Sequence, residues 1–150
     1  LLVEMQALVA RTPYGMPRRT AVGFDYNRVN MLLAILEKRL GMDFGTQDVY
    51  VNVVGGARVT EPAADLAVIA AIVSSYRNKP VMPGILAVGE VGLTGEVRRV
   101  GFVERRIKEA QNLGFQKFVT PTGNLSAKSL PTGIIQVNTV EEALAAFFEK

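Results

Sequence analysis

Five cations, Arg98, Arg99, Arg105, Arg106 and Lys108, fall within eleven residues of the stretch GEVGLTGEVRRVGFVERRIK, Gly89 to Lys108. Reachable positive side chains of this kind suit phosphate, and the planar fork of arginine takes two phosphate oxygens at once. Such contacts read no base, so binding through them is sequence-independent and steeply salt-sensitive. Arg18, Arg19 and Arg28 join the group if the second strand and the first helix fall on the same side. Three readings stay open for Arg98 and Arg99: DNA contact, subunit contact and ordinary solvated surface. Arg105, Arg106 and Lys108 share these readings, and Glu104–Lys108 and Arg105–Glu109 have the i,i+4 spacing of internal ion pairs. Phe102 sits among the cations and reads as a core residue, so no stacking platform for bases accompanies them.

Other chemistry is thinner. The chain has no Cys and no His. Disulfides, thiol nucleophiles, Cys/His metal sites, Ser-His-Asp catalysis and a histidine pH switch are thereby excluded from these residues. Its serines are Ser74, Ser75, Ser126 and Ser129. The first two read as helix C-terminal residues and the last two as loop residues; a Ser126–Lys128 dyad is the weaker reading. Gly55 and Gly56 stand between a strand and a helix, but no G-K-[ST] follows. Gly89, Gly92 and Gly95 are spaced GxxGxxG, which is not the dinucleotide fingerprint. Turn chemistry accounts for both sets.

These residues need a scaffold, and 150 residues at 49% apolar are enough for one compact domain over 1–150. Val3 to Val9 and Arg19 to Phe24 read as two strands of an antiparallel pair joined through Arg11 to Arg19. Asp25 caps a helix whose buried stripe is Val29, Leu32, Leu33, Leu36 and Leu40, and Gly41 ends it. Asp48 to Val54 is a β-branched strand. Thr60 caps a helix from Glu61 to Tyr76 that is apolar nearly all round, broken only by Asp65, a charge the helix dipole favours. Ile85 to Val91 and Glu96 to Val100 form a hairpin around Leu93 to Gly95. A helix follows with Val103, Ile107 and Ala110 inside. Lys117 to Thr120 and Ile134 to Val137 are strands flanking a polar loop, Gly123 to Gly133, and Val140 to Phe148 is the last helix. The alternation predicts an α/β (α+β) fold, a mixed sheet packed with helices.

No apolar run reaches the ~18 residues that would span a bilayer. The absence of Cys fits a cytoplasmic location. The opening LLVEMQALV has no initiator Met, which suggests a domain of a longer chain. A net charge of +3 and a pI of about 9.4 allow a polyanionic partner.

Four runs carry a resemblance: RRTAVGFDYNRV from Arg18, EPAADLAVIAAIVSSY from Glu61, GEVGLTGEVRRV from Gly89 and ERRIKEAQNLGF from Glu104. Together they resemble the proteolytic domain of Lon proteases, of ribosomal protein S5 domain 2-like fold. More narrowly, they resemble the C-terminal Lon-like domain of the bacterial RadA (Sms) family of DNA repair and recombination proteins, over essentially the whole chain. Lon enzymes use a Ser-Lys dyad. Ala63, in Pro62-Ala63-Ala64-Asp65, stands at the serine position, and Glu104, after Gly101-Phe102-Val103, at the lysine position. The resemblance therefore implies no catalytic residue, no metal site and no cofactor here. Asp65 and Glu104, near the former active site, read as a helix N-terminal charge and a surface ion-pair partner rather than an acid/base pair. The family further implies an upstream zinc finger and RecA-like ATPase, which would hold Zn, ATP and Mg. Its implied partners are further copies in a hexameric ring, single- or double-stranded DNA, and a recombinase filament, with no membrane. The alternatives are a pure oligomerisation module and, with less support, a Lon-type peptidase.

Overall fold

A computed structural model describes residues 2–126 and 130–148. Its centre is β3 (Gln47–Val53), where Val49, Val51 and Val53 alternate into the core and are almost wholly buried. β1 (Met5–Arg11) runs antiparallel along one edge of β3, with Leu8 opposite Tyr50. β2 (Arg19–Val22) runs parallel along the other, with Thr20 opposite Tyr50. The sheet order is β1-β3-β2, so the expected antiparallel pairing of the first two strands is replaced by insertion of β3 between them. The link from Arg11 to Arg19 is long enough to cross the two strand spacings of ~4.8 Å each. Asp48 pins both ends of that link, accepting from Thr12 Oγ1 at 2.9 Å and the Arg18 N–H at 2.7 Å.

Helix α1 (Tyr26–Leu40) starts where Asp25 accepts from the Arg28 N–H and ends at Gly41, whose φ of 70° places it in the left-handed region. Its buried stripe is Val29, Leu32, Leu33, Ile35 and Leu36, with Leu40 half-buried. Helix α2 (Asp65–Arg77) contributes Leu66, Val68, Ile69, Ile72 and Val73 to the same core. Burial of each such side chain stabilises the fold by roughly 1.5–3 kcal/mol.

The start of α2 differs from expectation. Pro62–Ala64 form a 3₁₀ turn, no side chain caps the helix, and Thr60 lies outside it. The cap comes from across the molecule: Leu66 N–H donates to Gly89 O, and Gly89 N–H donates to Ala63 O. A Cβ at position 89 would sit 2.8 Å from Leu66 Cδ1 and 3.0 Å from Val97 Cγ1, so glycine leaves room for these two side chains beside the contact. The same contact splits the expected strand Ile85 to Val91 into β4 (Ile85–Ala87) and β5 (Glu90–Val91).

Beyond β5, β6 (Val97–Arg98) closes a short hairpin, with Val91 opposite Val97. Helix α3 (Val103–Asn112) packs through Val103, Ile107 and Ala110. Strands β7 (Lys117–Pro121) and β8 (Ile134–Val137) complete a parallel sheet of order β4-β7-β8. Helix α4 (Val140–Phe147) is capped by Thr139, which accepts from the Glu142 N–H. The architecture is mixed α/β, with sheets covered by helices, and fits the expected Lon-like α+β domain. No helix among the described residues is long and apolar enough to cross a membrane.

Candidate nucleic-acid interface

The candidate cations divide into two sets. The first is built into the scaffold. Asp65, with no solvent exposure, accepts from Arg28 Nε at 2.7 Å and from Arg28 Nη2, and also from the Val91 N–H at 2.9 Å. One carboxylate thus ties α1, α2 and β5 together. Glu90 stands 3.8 Å from the same guanidinium. Burial pushes the Asp65 carboxyl above the ordinary carboxylate range, against the downward pull of Arg28 and Val91. The hydrogen bonds to Asp65 raise Arg28. Arg19 is similarly committed, donating to Gln47 O at 2.5 Å and Phe44 O at 2.8 Å. Arg18 gives its backbone N–H to Asp48, which draws that carboxyl below its ordinary value, and leaves its side chain exposed.

The second set lies on the hairpin and α3. Glu96 accepts from Thr94 Oγ1 at 2.5 Å and from the Thr94 N–H at 3.1 Å, and the hydroxyl holds its carboxyl low. Arg98 reaches the same carboxylate at 3.3 Å with its side chain 61% exposed, a geometry that contributes little to stability. Arg99 is exposed, and its guanidinium lies over Gly123, where a Cβ would meet Nε at 3.1 Å. Asn124 holds Val100 at both ends, accepting from its N–H at 3.0 Å and donating to its carbonyl at 2.7 Å. Arg106 then braces the next residue: Nε donates to Gly101 O at 2.9 Å, while Nη1 pairs with Glu61 at 2.6 Å. Glu104, Arg105 and Lys108 are exposed on α3.

The expected core residue Phe102 is on the surface, 70% exposed, with φ of 62°. The Arg105 guanidinium lies 5.3 Å from its ring centroid. Its outward position was latent in the helical spacing: Val103, Ile107 and Ala110 already fill the inner face, and Phe102 precedes it by one step of ~100°. Asp65 was undervalued in the same way. A lone carboxylate in an otherwise apolar helix calls for a partner, and Arg28, 37 residues away, supplies it.

Ala63, buried, forms part of the wall of a groove of about 270 Å³, together with Val59, Leu86, Val88, Phe102 and Arg106. Ala63 brings a methyl to this groove where a serine would bring a hydroxyl. Asp65 faces Arg28 and Val91, whereas Glu104 is exposed. Ser75 Oγ accepts from the Val9 N–H at 2.8 Å and Ser74 Oγ donates to Lys79 O at 2.6 Å, so both hold the scaffold. Lys128 of the Ser126–Lys128 reading, and Ser129, lie outside the described residues. No cluster of three or more acidic residues suited to a metal ion occurs among the described residues.

The family model described as subunit ChlI of Mg-chelatase matches residues 7–124. The chain is 51% identical over 146 residues to the DNA repair protein RadA of Bacillus subtilis, covering 96% of this chain and 32% of that protein. It is 49% identical over 146 residues to the protein of that name from Halalkalibacterium halodurans, with the same coverages. To that of Streptococcus pneumoniae it is 47% identical over 150 residues, covering 99% and 36%. The chain spans about a third of the length of these curated relatives.

Proposed function

The chain belongs to the ChlI family and is a domain of the RadA type, and from that premise we propose that it serves a DNA repair ATPase as a non-proteolytic scaffold, contacting DNA through its phosphates and helping to build a ring. The observation that carries this reading is the division among the arginines. Arg19 and Arg28 spend their donors inside the protein. Arg98, Arg99 and Arg105 stay exposed on one continuous hairpin-and-helix unit whose turn is braced by Asn124 and Arg106. Phosphate contacts need cations that are reachable and held in place, and Arg98, Arg99, Arg105 and Lys108 meet the first condition. Arg18, exposed on the β1–β2 link, is a further reachable cation.

No hydroxyl stands at position 63 and no amine at 104, so a Ser-Lys peptidase lacks both of its reacting groups. ATP hydrolysis, with ATP, Mg and Zn, is assigned to the two thirds of the relatives that this chain does not span. Branch migration of recombination intermediates would be the work of the whole protein, and a recombinase filament its further partner.

Subunit contact has its own support. The face of the β1-β3-β2 sheet away from the helices leaves Leu8 56% and Val22 54% exposed. Subunit contact without DNA is the second reading, and this face favours it.

Anisotropy titration with DNA oligonucleotides at low and high salt tests the first. Binding should fade as salt rises and weaken in Arg98→Ala/Arg99→Ala. Unchanged affinity in that variant would remove those two residues from the site. Light scattering of Leu8→Lys tests the second, which fails if assembly is unaffected.

A further inference from the structure

Phe102 carries two costs that the folded chain does not recover in packing. Its ring is 70% exposed, and its backbone sits at φ 62°, ψ 31°, the left-handed region that bulky L-residues rarely adopt. A glycine there would remove both the exposed ring and the strain. The conformation is nevertheless firmly imposed. Asn124 clamps Val100 and Arg106 Nε holds Gly101 O, both on the N-terminal side, and the Arg106 N–H donates to Phe102 O at 3.0 Å on the helix side. A strained residue that its surroundings over-determine, with its side chain pointed at solvent, is the signature of a contact made outside the molecule.

We infer that Phe102 is a stacking platform for a base of single-stranded DNA, with Arg98 and Arg99 taking the neighbouring phosphates; this rests on the DNA-contact reading above. Arg105 covers one side of the ring at 5.3 Å, and the exposure leaves the rest open. Beside it lies a depression of about 410 Å³ lined by Phe102, Val103, Glu104, Arg105 and Asn124. Within that lining the flat ring, the Arg105 guanidinium and the Asn124 amide match a nucleotide, whose base has a π-face and whose phosphate is anionic, while the Glu104 carboxylate leaves the phosphate to the arginines. An apolar protein side chain would match the ring but would strip water from Arg105 without giving it a counter-charge. Bases inside a duplex are already stacked, so the platform discriminates in favour of the single strand.

The experiment uses fluorescence anisotropy with a poly(dT) oligonucleotide and a duplex hairpin, on the whole chain and on Phe102→Gly and Phe102→Trp. Phe102→Gly should melt at the same temperature or higher, bind poly(dT) about 10-fold more weakly, and bind duplex as before. Phe102→Trp should retain poly(dT) binding. The inference is overturned if poly(dT) affinity is unchanged in Phe102→Gly, or if duplex and single-strand affinity fall together. It is also overturned if sedimentation shifts while DNA binding does not, which makes Phe102 a subunit contact. If the unaltered chain binds neither probe, the DNA-contact reading fails and the platform with it. If it binds both and only Arg98→Ala/Arg99→Ala matters, the platform alone fails.

Discussion

Arg28 and Arg98 carry the same guanidinium and are held in opposite ways. Arg28 meets a carboxylate with no solvent exposure and shares it with the Val91 N–H. Arg98 meets a half-exposed carboxylate at 3.3 Å on the hairpin it belongs to. The first is part of the structure, because removing Arg28 strands a carboxylate that water cannot reach. The second is available to a ligand, because water already competes for it. A count of basic residues treats the two alike; burial of the partner separates them.

The contrast can be broken most directly at Arg28. Arg28→Ala should destabilise the fold by about 3–5 kcal/mol, since Asp65 is left buried without its counter-ion. That corresponds to a fall in Tm on the order of 10 °C by calorimetry. Arg28→Met/Asp65→Asn should recover part of the loss, because Asn still accepts from Val91. A Tm change within about 1 °C for Arg28→Ala would mean that the pair is not structural.

Asn124→Ala should cost about 1–2 kcal/mol by removing two partly buried hydrogen bonds. It should also weaken poly(dT) binding without itself carrying charge, because the turn bearing Arg99 and Phe102 loses its clamp. Stability lost with affinity unchanged would show that bracing the turn is irrelevant to DNA.

Asp48 extends the contrast to pH. The Arg18 N–H and the Thr12 hydroxyl hold its carboxyl below the ordinary value of 3.8. Its folded pKa is therefore lower than its unfolded one, so its contribution is present above about pH 4 and lost as pH falls through the folded value. Tm should fall below about pH 4, and less steeply in Asp48→Asn. Parallel acid limbs for the two proteins would contradict this.

Arg98→Ala/Arg99→Ala should leave stability within about 0.5 kcal/mol. Its effect should appear in the salt dependence, where the log–log slope of binding falls by about 1.5–2 if both side chains neutralise phosphates. Two lost contacts with no change in slope would place these arginines off the DNA.

Much of the scaffold was legible because it is local. The valine alternation in β3, the apolar stripe of α1, its Asp25 cap and Gly41 terminus, and the inner face of α3 each depend on residues within a few turns of one another. The partner of β1 was not, since β1 and β2 are adjacent in sequence but flank β3 in the sheet. The start of α2 was not either, because its cap is the backbone of Gly89, 26 residues beyond Ala63. For the candidate site, the cluster from Arg98 to Lys108 was visible as composition. Which cations are free was not, and the exposure of Phe102 reverses the reading of it as core.

The amino-acid sequence by itself determined the class of fold, its resemblance to the Lon-like domain of RadA, an alanine rather than a serine at position 63 and a glutamate rather than a lysine at position 104, and the concentration of charge after the hairpin. Those depend on residue identity and short-range order. Only the tertiary structure decided that Arg28 belongs to Asp65, that Arg19 belongs to the backbone around β3, and that Phe102 faces solvent beside exposed arginines. The reason is that a side chain's chemistry depends on whether its partner can be hydrated, and hydration is set by what packs over it from distant parts of the chain.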